Sequence, residues 1–167
     1  GLKVPEQSFV LARRWLDSMS GGKDGGLYGY QAPEKISRAM VPTGMFCRQL
    51  DLVSPDDPRM LEGAAFMRRY PMREASPDLY YVYYATLALY QHQGPVWDEW
   101  NRQLKTLLPK TQRKDGAMAG SWDLSSKMAK DGGRVISTTL ATLSLEVYYR
   151  FLPMYGFRQG VARPVTE

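Results

Sequence analysis

The sequence predicts an all-α protein made of three antiparallel helical hairpins that form an arc of an α/α toroid. Charged, amphipathic stretches alternate along the chain with longer, nearly uncharged stretches rich in Tyr, Thr, Ala and Leu, and Gly- or Pro-containing segments separate them. A helix that is apolar on all sides has to be buried, whereas a helix with a polar face can lie outside. We therefore expect outer helices with a solvent-facing side to cover apolar inner helices.

Each predicted outer helix is paired with the apolar stretch that follows it. The outer stretches are Ser8–Met19, Pro58–Arg69 and Trp97–Leu108. The inner stretches are Val41–Leu52, Asp78–His92 and Val135–Phe151. The pairs give hairpins over about residues 6–52, 58–92 and 97–151. Together they make one repeat domain over residues 1–152, followed by an irregular tail over 153–167.

The first hairpin contains a glycine-rich turn. In its outer stretch the apolar residues recur at helical spacing, as Phe9, Ala12, Leu16 and Met19. The glycines that follow are too costly in backbone entropy for a helix, so we expect a structured turn over residues 20–30. The side chains expected to face inward from this turn are Leu27, Tyr28 and Tyr30.

The second and third hairpins have clearer helix ends. Asp56 or Asp57 is the expected N-cap of the second outer helix, and Asp78 is the expected N-cap of the inner helix that follows. Pro109 is expected to end the third outer helix. A second glycine-and-aromatic turn and a polar loop follow over residues 112–133. The third inner helix then places one apolar stripe along its length: Ile136, Leu140, Leu143 and Val147.

The alternative all-helical fold is a simple antiparallel bundle. The charged stretches begin about 50 and then about 40 residues apart, which is the range of helical-pair repeats. A bundle would not need the same division into inner and outer helices three times. The repeat is therefore the preferred prediction.

Composition restricts the partners and the chemistry. The net charge is +5 and the pI about 9.3, but the basic residues are scattered along the chain, so we expect solvated helix faces and no nucleic-acid partner. No apolar stretch is long enough for a transmembrane segment. Cys47 is the single cysteine, which excludes an internal disulfide and favours a buried thiol. Because the chain begins at Gly1 and not at Met, we expect it to be a piece of a longer protein, and its compartment is not predicted.

Two turns and the inner helices resemble the prenyltransferase and squalene-cyclase repeat superfamily, whose fold is the α/α toroid. The resemblance is carried by Asp115-Gly116 with Gly120-Ser121-Trp122, by the Thr- and Leu-rich run over residues 137–145, and by the turn over residues 24–30. It implies a concave face that further chain or a second copy, as a homo-oligomer, would close.

The resemblance does not carry over the superfamily's catalytic groups. The repeat signature has Trp where Met118 stands, and the acidic motif of the cyclases is absent. Asp78 resembles the zinc-binding aspartate of protein prenyltransferases, but Tyr80 occupies the position of the cysteine ligand. The third inner helix has no His. We therefore expect neither a metal site nor another cofactor in this chain.

The second inner helix carries the candidate ligand site. Two roles are open for its tyrosines. They line an apolar cavity for a peptide, a polymer or an isoprenoid-like ligand, or they pack in the core, where each hydroxyl has a hydrogen-bond partner. The candidate residues are Asp78, Tyr80, Tyr81, Tyr83, Tyr84 and Trp122. For Asp78 the alternative role is the N-cap, and for Trp122 it is a packing plug between helices. No catalytic residue is predicted.

Two functions remain open from the sequence. The first is a non-catalytic binding module with a concave aromatic face, within a larger protein. The alternative is one sector of a terpene-cyclase-like or prenyltransferase-like enzyme whose catalytic acids lie outside this chain. Fold alone does not decide between them.

Overall fold

The computed structural model describes residues 3–73, 77–124 and 127–154, without the side chains of 127–129. These residues are predominantly helical, so the all-α prediction is confirmed. The helices are α1 Glu6–Ser18, α2 Met40–Leu50, α3 Pro58–Arg69, α4 Leu79–His92, α5 Gly94–Thr111, α6 Lys127–Leu145 and α7 Val147–Arg150. Two short strands, β1 Ser20–Gly21 and β2 Leu27–Tyr28, pair antiparallel. Within the described part, no helix is long and apolar enough to cross a membrane.

The predicted helix caps are found at two helix starts. The Asp57 carboxylate accepts the Arg59 amide at the start of α3, and Asp78 accepts the Tyr81 amide at the start of α4. Each satisfies a backbone donor that has no partner inside the helix. The prediction that Pro109 ends the third outer helix is wrong, because α5 continues through it to Thr111.

Helix α4 lies between α2 and α6 and packs most extensively against these two helices. The contact between α2 and α4 is fixed near both ends of the two helices. Arg38, just before α2, lies over the Tyr81 ring at the start of α4, and the Gln49 amide donates to the Ala88 carbonyl near the other end. Helices α2 and α4 therefore run in the same direction.

Helix α5 runs back along α4, and α6 then repeats the direction of α4. The Trp100 indole of α5 donates to the Thr86 hydroxyl, and the ring centroids of Trp97 and Tyr90 are 5.2 Å apart near the connecting turn. After α6, the Tyr148 ring lies 5.8 Å from that of Tyr90, at the C-terminal end of α4. Helices α3 and α5 contact each other on one side of this three-helix layer.

The third inner helix differs from the prediction of one helix over Val135–Phe151. Gly133 (φ 75°) is non-helical and divides α6 into two helical segments. The second segment starts after Gly133, close to the predicted Val135, but it ends at Leu145 before the single turn of α7. The first segment, from Lys127, is helical where a polar loop was predicted. The stripe predicted to be buried is also wrong in part, since Ile136 is 39% exposed. The buried face consists of small residues instead: Ser137, Ala141 and Ser144. Small side chains allow α6 to approach α4 closely.

The glycine-rich turn is fastened to α3 by Glu62. Its carboxylate accepts the backbone amides of Lys23, Asp24 and Gly26 at 2.7–3.0 Å. Tyr28 is buried as predicted, and its ring lies against Gly44, where a Cβ atom would come within 2.5 Å of it. The prediction for Tyr30 is wrong, because this side chain is 71% exposed.

Helix α1 is attached to α2 mainly by ion pairs. Arg13 bonds Asp51 at 2.7 Å, and Arg48 bonds Asp17. Among the apolar residues predicted to face the body, Leu16 is buried, but Phe9 is 46% exposed. The apolar side of α1 is therefore largely uncovered.

We expect Leu104→Ala to lower the free energy of unfolding by about 2–5 kcal/mol, because this α5 side chain is fully buried and its loss leaves a cavity. Leu61→Ala in α3 is the matched control. Its side chain is 50% exposed, so the cost should stay below about 1 kcal/mol. Urea denaturation of the unchanged chain and the two variants measures both losses of stability. Equal losses would contradict the core described above.

We expect Glu62→Ala to destabilise the protein by about 1–3 kcal/mol, because three backbone amides lose a charged acceptor. Amide hydrogen exchange at residues 23, 24 and 26 should accelerate. The exposed Glu34→Ala serves as the control and should change neither quantity. Unchanged exchange in Glu62→Ala would show that the carboxylate does not hold the turn.

Candidate functional site

The candidate tyrosines of α4 fall into two groups with different surroundings. Tyr81 is fully buried, whereas Tyr80, Tyr83 and Tyr84 are half-buried. On a helix, residues four apart share a side, so Tyr80 and Tyr84 belong to one side of α4. The structure thus brings three of the four tyrosines together at an accessible place and puts the fourth in the core.

Tyr81 has the contacts of a packing residue. Its hydroxyl donates to the Tyr70 carbonyl at 2.7 Å, and its ring meets the edge of Trp100 with centroids 5.8 Å apart. The Arg38 guanidinium lies 4.4 Å from the ring centroid and donates to the carbonyls of Tyr70 and Pro71. Burial raises the pKa of Tyr81 to about 12. This side chain therefore joins the end of α3 to α4 and is not free to meet a ligand.

The other three tyrosines form a ring cluster. The centroids of Tyr80 and Tyr84 are 4.9 Å apart, and those of Tyr83 and Tyr84 are 5.1 Å apart with an edge-to-face tilt. Burial raises the pKa of Tyr84, and its contact with Tyr80 raises it further. Burial also raises the pKa of Tyr83, and the nearby charge of Arg150 partly offsets this rise. With their pKa values raised, the phenols of Tyr83 and Tyr84 stay neutral at physiological pH. A neutral phenol can both donate and accept hydrogen bonds.

We call the side of α2, α4 and α6 that α3 and α5 leave uncovered the inner face. On α2 it includes the half-buried Phe46 and the 59% exposed Leu50. On α6 it includes Ile136 and the half-buried Leu140. Both point away from Thr138, whose hydroxyl accepts a hydrogen bond from the Trp122 amide. Phe46 and Leu50 were not among the predicted site residues, although both occur in the predicted inner helix.

The C-terminal half of α4 is covered by the segment of residues 151–154. The Tyr90 hydroxyl donates to the Phe151 carbonyl at 2.9 Å. The buried Gln91 donates to the Leu152 carbonyl at 3.3 Å and accepts the Met154 amide at 2.7 Å. Of the predicted tail, 153–154 can be compared with the structure and 155–167 lie outside the described residues. The open part of the inner face is consequently the half with the tyrosine cluster.

The remaining candidates lie apart from this cluster. Asp78 is half-buried and caps α4. Trp122 is buried, and its indole donates to the Leu108 carbonyl at 2.9 Å. These contacts agree with the alternative roles predicted for the two residues, the N-cap for Asp78 and a packing plug for Trp122. His92, at the C-terminal end of α4, is half-buried, and burial lowers its pKa.

Small pockets occur in the part of the chain that the structure describes. One of about 70 Å³ lies between α1 and α2 and is lined by mostly apolar residues, including Trp15, Leu16 and Cys47. Burial raises the pKa of the Cys47 thiol, which disfavours the nucleophilic thiolate. The other pocket, of about 10 Å³, lies between α3 and α5. Sites that enclose a small molecule usually have roughly 300–1,000 Å³, so neither pocket could enclose an isoprenoid.

Groups suited to metal binding or nucleophilic catalysis do not converge among the residues that the structure describes. No cluster of three His, Cys, Asp or Glu side chains there could hold a metal ion. Ser137 is buried, with its hydroxyl directed at the Gly133 carbonyl. The half-buried tyrosine cluster presents aromatic rings and hydroxyl groups at the surface.

Comparisons with protein-family models, curated proteins and solved structures return no match. The family resemblance therefore stays a prediction from the sequence.

The buried phenol of Tyr81 predicts a loss of stability in alkali. Its unfolded pKa is near 10 and its folded pKa is about 12, so the native state retains a proton that the unfolded state has lost. The free energy of unfolding should fall as the pH rises from 10 to 12. Tyr81→Phe should make this fall shallower, as followed by urea denaturation at each pH. Tyr30→Phe, at an exposed site, is the control, and identical slopes in all three proteins would contradict the assignment.

Proposed function

We propose that this chain is a non-catalytic helical-repeat binding module, part of a larger protein, whose inner face binds a peptide, a polymer or a lipid-like ligand. The observation that carries the proposal is the half-buried cluster of Tyr80, Tyr83 and Tyr84 on a face shared by three helices of one direction. Tyrosine combines a large apolar ring with a hydrogen-bonding hydroxyl, which suits it to recognition.

An extended peptide fits this face best among the three ligand classes. The face is open along one side of the helices, whereas sites for small lipids surround most of the ligand surface. Phe46 and Leu140 extend the apolar surface on either side of the tyrosines. Phenol hydroxyls beside apolar rings supply the hydrogen bonds that a peptide backbone requires.

The fold expected with this function is an arc of an α/α toroid, with three outer and inner helix pairs. Its support is the common direction of α2, α4 and α6 and the position of α3 and α5 on one side of them. The same layering suits the alternative, a sector of a terpene-cyclase-like or prenyltransferase-like enzyme. In that case the catalytic acids would come from outside this chain.

The test of the binding proposal is selection of peptides from a displayed random library on the immobilised chain, followed by calorimetric titration of the selected peptides. We expect the double substitution Tyr80→Ala and Tyr84→Ala to weaken binding at least about tenfold, because it removes two central aromatic contacts. Tyr30→Ala is the control, since this tyrosine is 71% exposed on the glycine-rich turn.

Circular dichroism checks that the double variant keeps its helices. Selected peptides that bind this folded variant as tightly as the unchanged chain would refute the inner face as the site. Turnover of an isoprenoid diphosphate by the chain as part of the full-length protein, abolished by the same double substitution, would favour the enzyme alternative.

A further inference from the structure

Helix α1 is only loosely packed against the rest of the protein. Among the described residues, no helix or strand packs closely along it. Leu16 is its single buried residue, whereas Phe9, Leu11 and Trp15 are each about half exposed. An apolar pocket of about 70 Å³ remains between α1 and the side of α2 that α1 covers. Apolar packing therefore contributes little to the attachment of α1.

The C-terminal end of α1 is fixed by the backbone. Strand β1 begins two residues after this helix and pairs with β2, and the Gly29 amide donates to the Met19 carbonyl at 3.1 Å. Close to the same end, Asp17 bonds the buried Arg48. The glycine-rich turn that joins the two strands is itself held to α3 by Glu62. Met19 is thus the hinge that the backbone provides for α1.

The N-terminal part of α1 is held to α2 by the ion pair of Arg13 and Asp51. The Arg13 Nε atom lies 2.9 and 2.8 Å from the two Asp51 carboxylate oxygens, and its Nη2 atom lies 2.7 Å from one of them. The two side chains are 44% and 28% exposed. An ion pair this accessible to water contributes little stability, and salt weakens it. Glu6, 3.5 Å from Arg13, belongs to α1 and adds nothing to its attachment.

This ion pair lies beside the single cysteine of the chain. Cys47 precedes Asp51 by four residues, so the two share a side of α2, and Cys47 lines the pocket beneath α1. Burial is the main cause of the raised pKa of Tyr84, and the nearby Cys47 thiol contributes to it. Cys47 is therefore close to both the pocket and the tyrosine cluster of the inner face.

We propose that α1 is a strap that opens and closes over the side of α2, with Met19 as its hinge and the Arg13–Asp51 ion pair holding it closed. Opening breaks this ion pair, moves α1 away from α2 and uncovers Cys47 with the rest of the apolar pocket. The inner face then becomes wider on its α2 side. Ionic strength controls the balance between the two states, because salt screens the ion pair. The strap does not depend on which ligand the inner face binds.

The test is the rate at which iodoacetamide, an uncharged reagent, labels Cys47, followed by mass spectrometry and expressed relative to free cysteine in the same buffer. Asp51→Asn should raise this rate about two- to fivefold, because the strap loses the ion pair that holds it closed. Raising NaCl from about 0.1 to about 1 M shortens the Debye length from about 10 to about 3 Å. It should therefore accelerate labelling of the unchanged chain but not of Asp51→Asn.

A charge swap tests the ion pair directly. Arg13→Asp alone should accelerate labelling, and its combination with Asp51→Arg should restore the slow rate of the unchanged chain. Asp123→Asn is the matched control, because it breaks the ion pair of another exposed aspartate, with Arg113, in the segment between α5 and α6. This variant should label at the unchanged rate.

Leu104→Ala separates opening of the strap from unfolding of the whole chain. It removes a fully buried core side chain, so it should leave the labelling rate unchanged while circular dichroism shows a folded protein. Labelling of Leu104→Ala as fast as that of Asp51→Asn would overturn the proposal, because Cys47 would then be exposed by global unfolding. So would an unchanged rate in Asp51→Asn, or a swapped pair that labels as fast as Arg13→Asp alone.

Discussion

Helix α4 is enclosed along most of its length, and this enclosure organises the other helices. It has no charged residue from Leu79 to Gln91, and most of these side chains are buried. Such a helix is stable only if neighbours remove its surface from water on several sides at once. Helices α2 and α6 do so on opposite flanks, and α3 and α5 cover a third side.

Close approach to α4 requires small side chains and satisfied polar groups. Ala85 and Ala88 of α4 are fully buried, as is Ala141 of α6. The hydroxyls buried with them bond within their own helices: Thr86 donates to the Val82 carbonyl, and Ser144 to the Leu140 carbonyl. Ser and Thr can therefore lie at the interface without an unpaired hydroxyl, whose burial would cost about 1–3 kcal/mol.

Sequence periodicity identified the inner helices but did not determine which side of each helix is buried. In α6 one side carries Ile136 and Leu140 and another carries Ser137 and Ala141, and the apolar stripe was expected inside. The small residues are buried instead, because shape controls how closely two helices approach. Local chemistry was more informative: Asp57 and Asp78 were recognised as caps because a cap depends on only a few neighbouring residues. Glu62 was missed because its partners are backbone amides that no side chain reveals.

For the candidate site, too, the sequence pattern revealed which residues are present but not how they pack. The run of tyrosines was visible in the sequence, but the separation of Tyr81 from the other three depends on where Trp100 and Arg38 lie. The open half of the face depends on Gln91, whose amide holds the segment after α7 by two hydrogen bonds. The layer that buries α4 ends at α6, so the side of α6 opposite α4 has no neighbouring helix, which accounts for exposed apolar residues such as Val135. A layer of helices packed side by side has an uncovered flank where it stops, so the exposed apolar residues of α6 are a consequence of the same packing that creates the inner face.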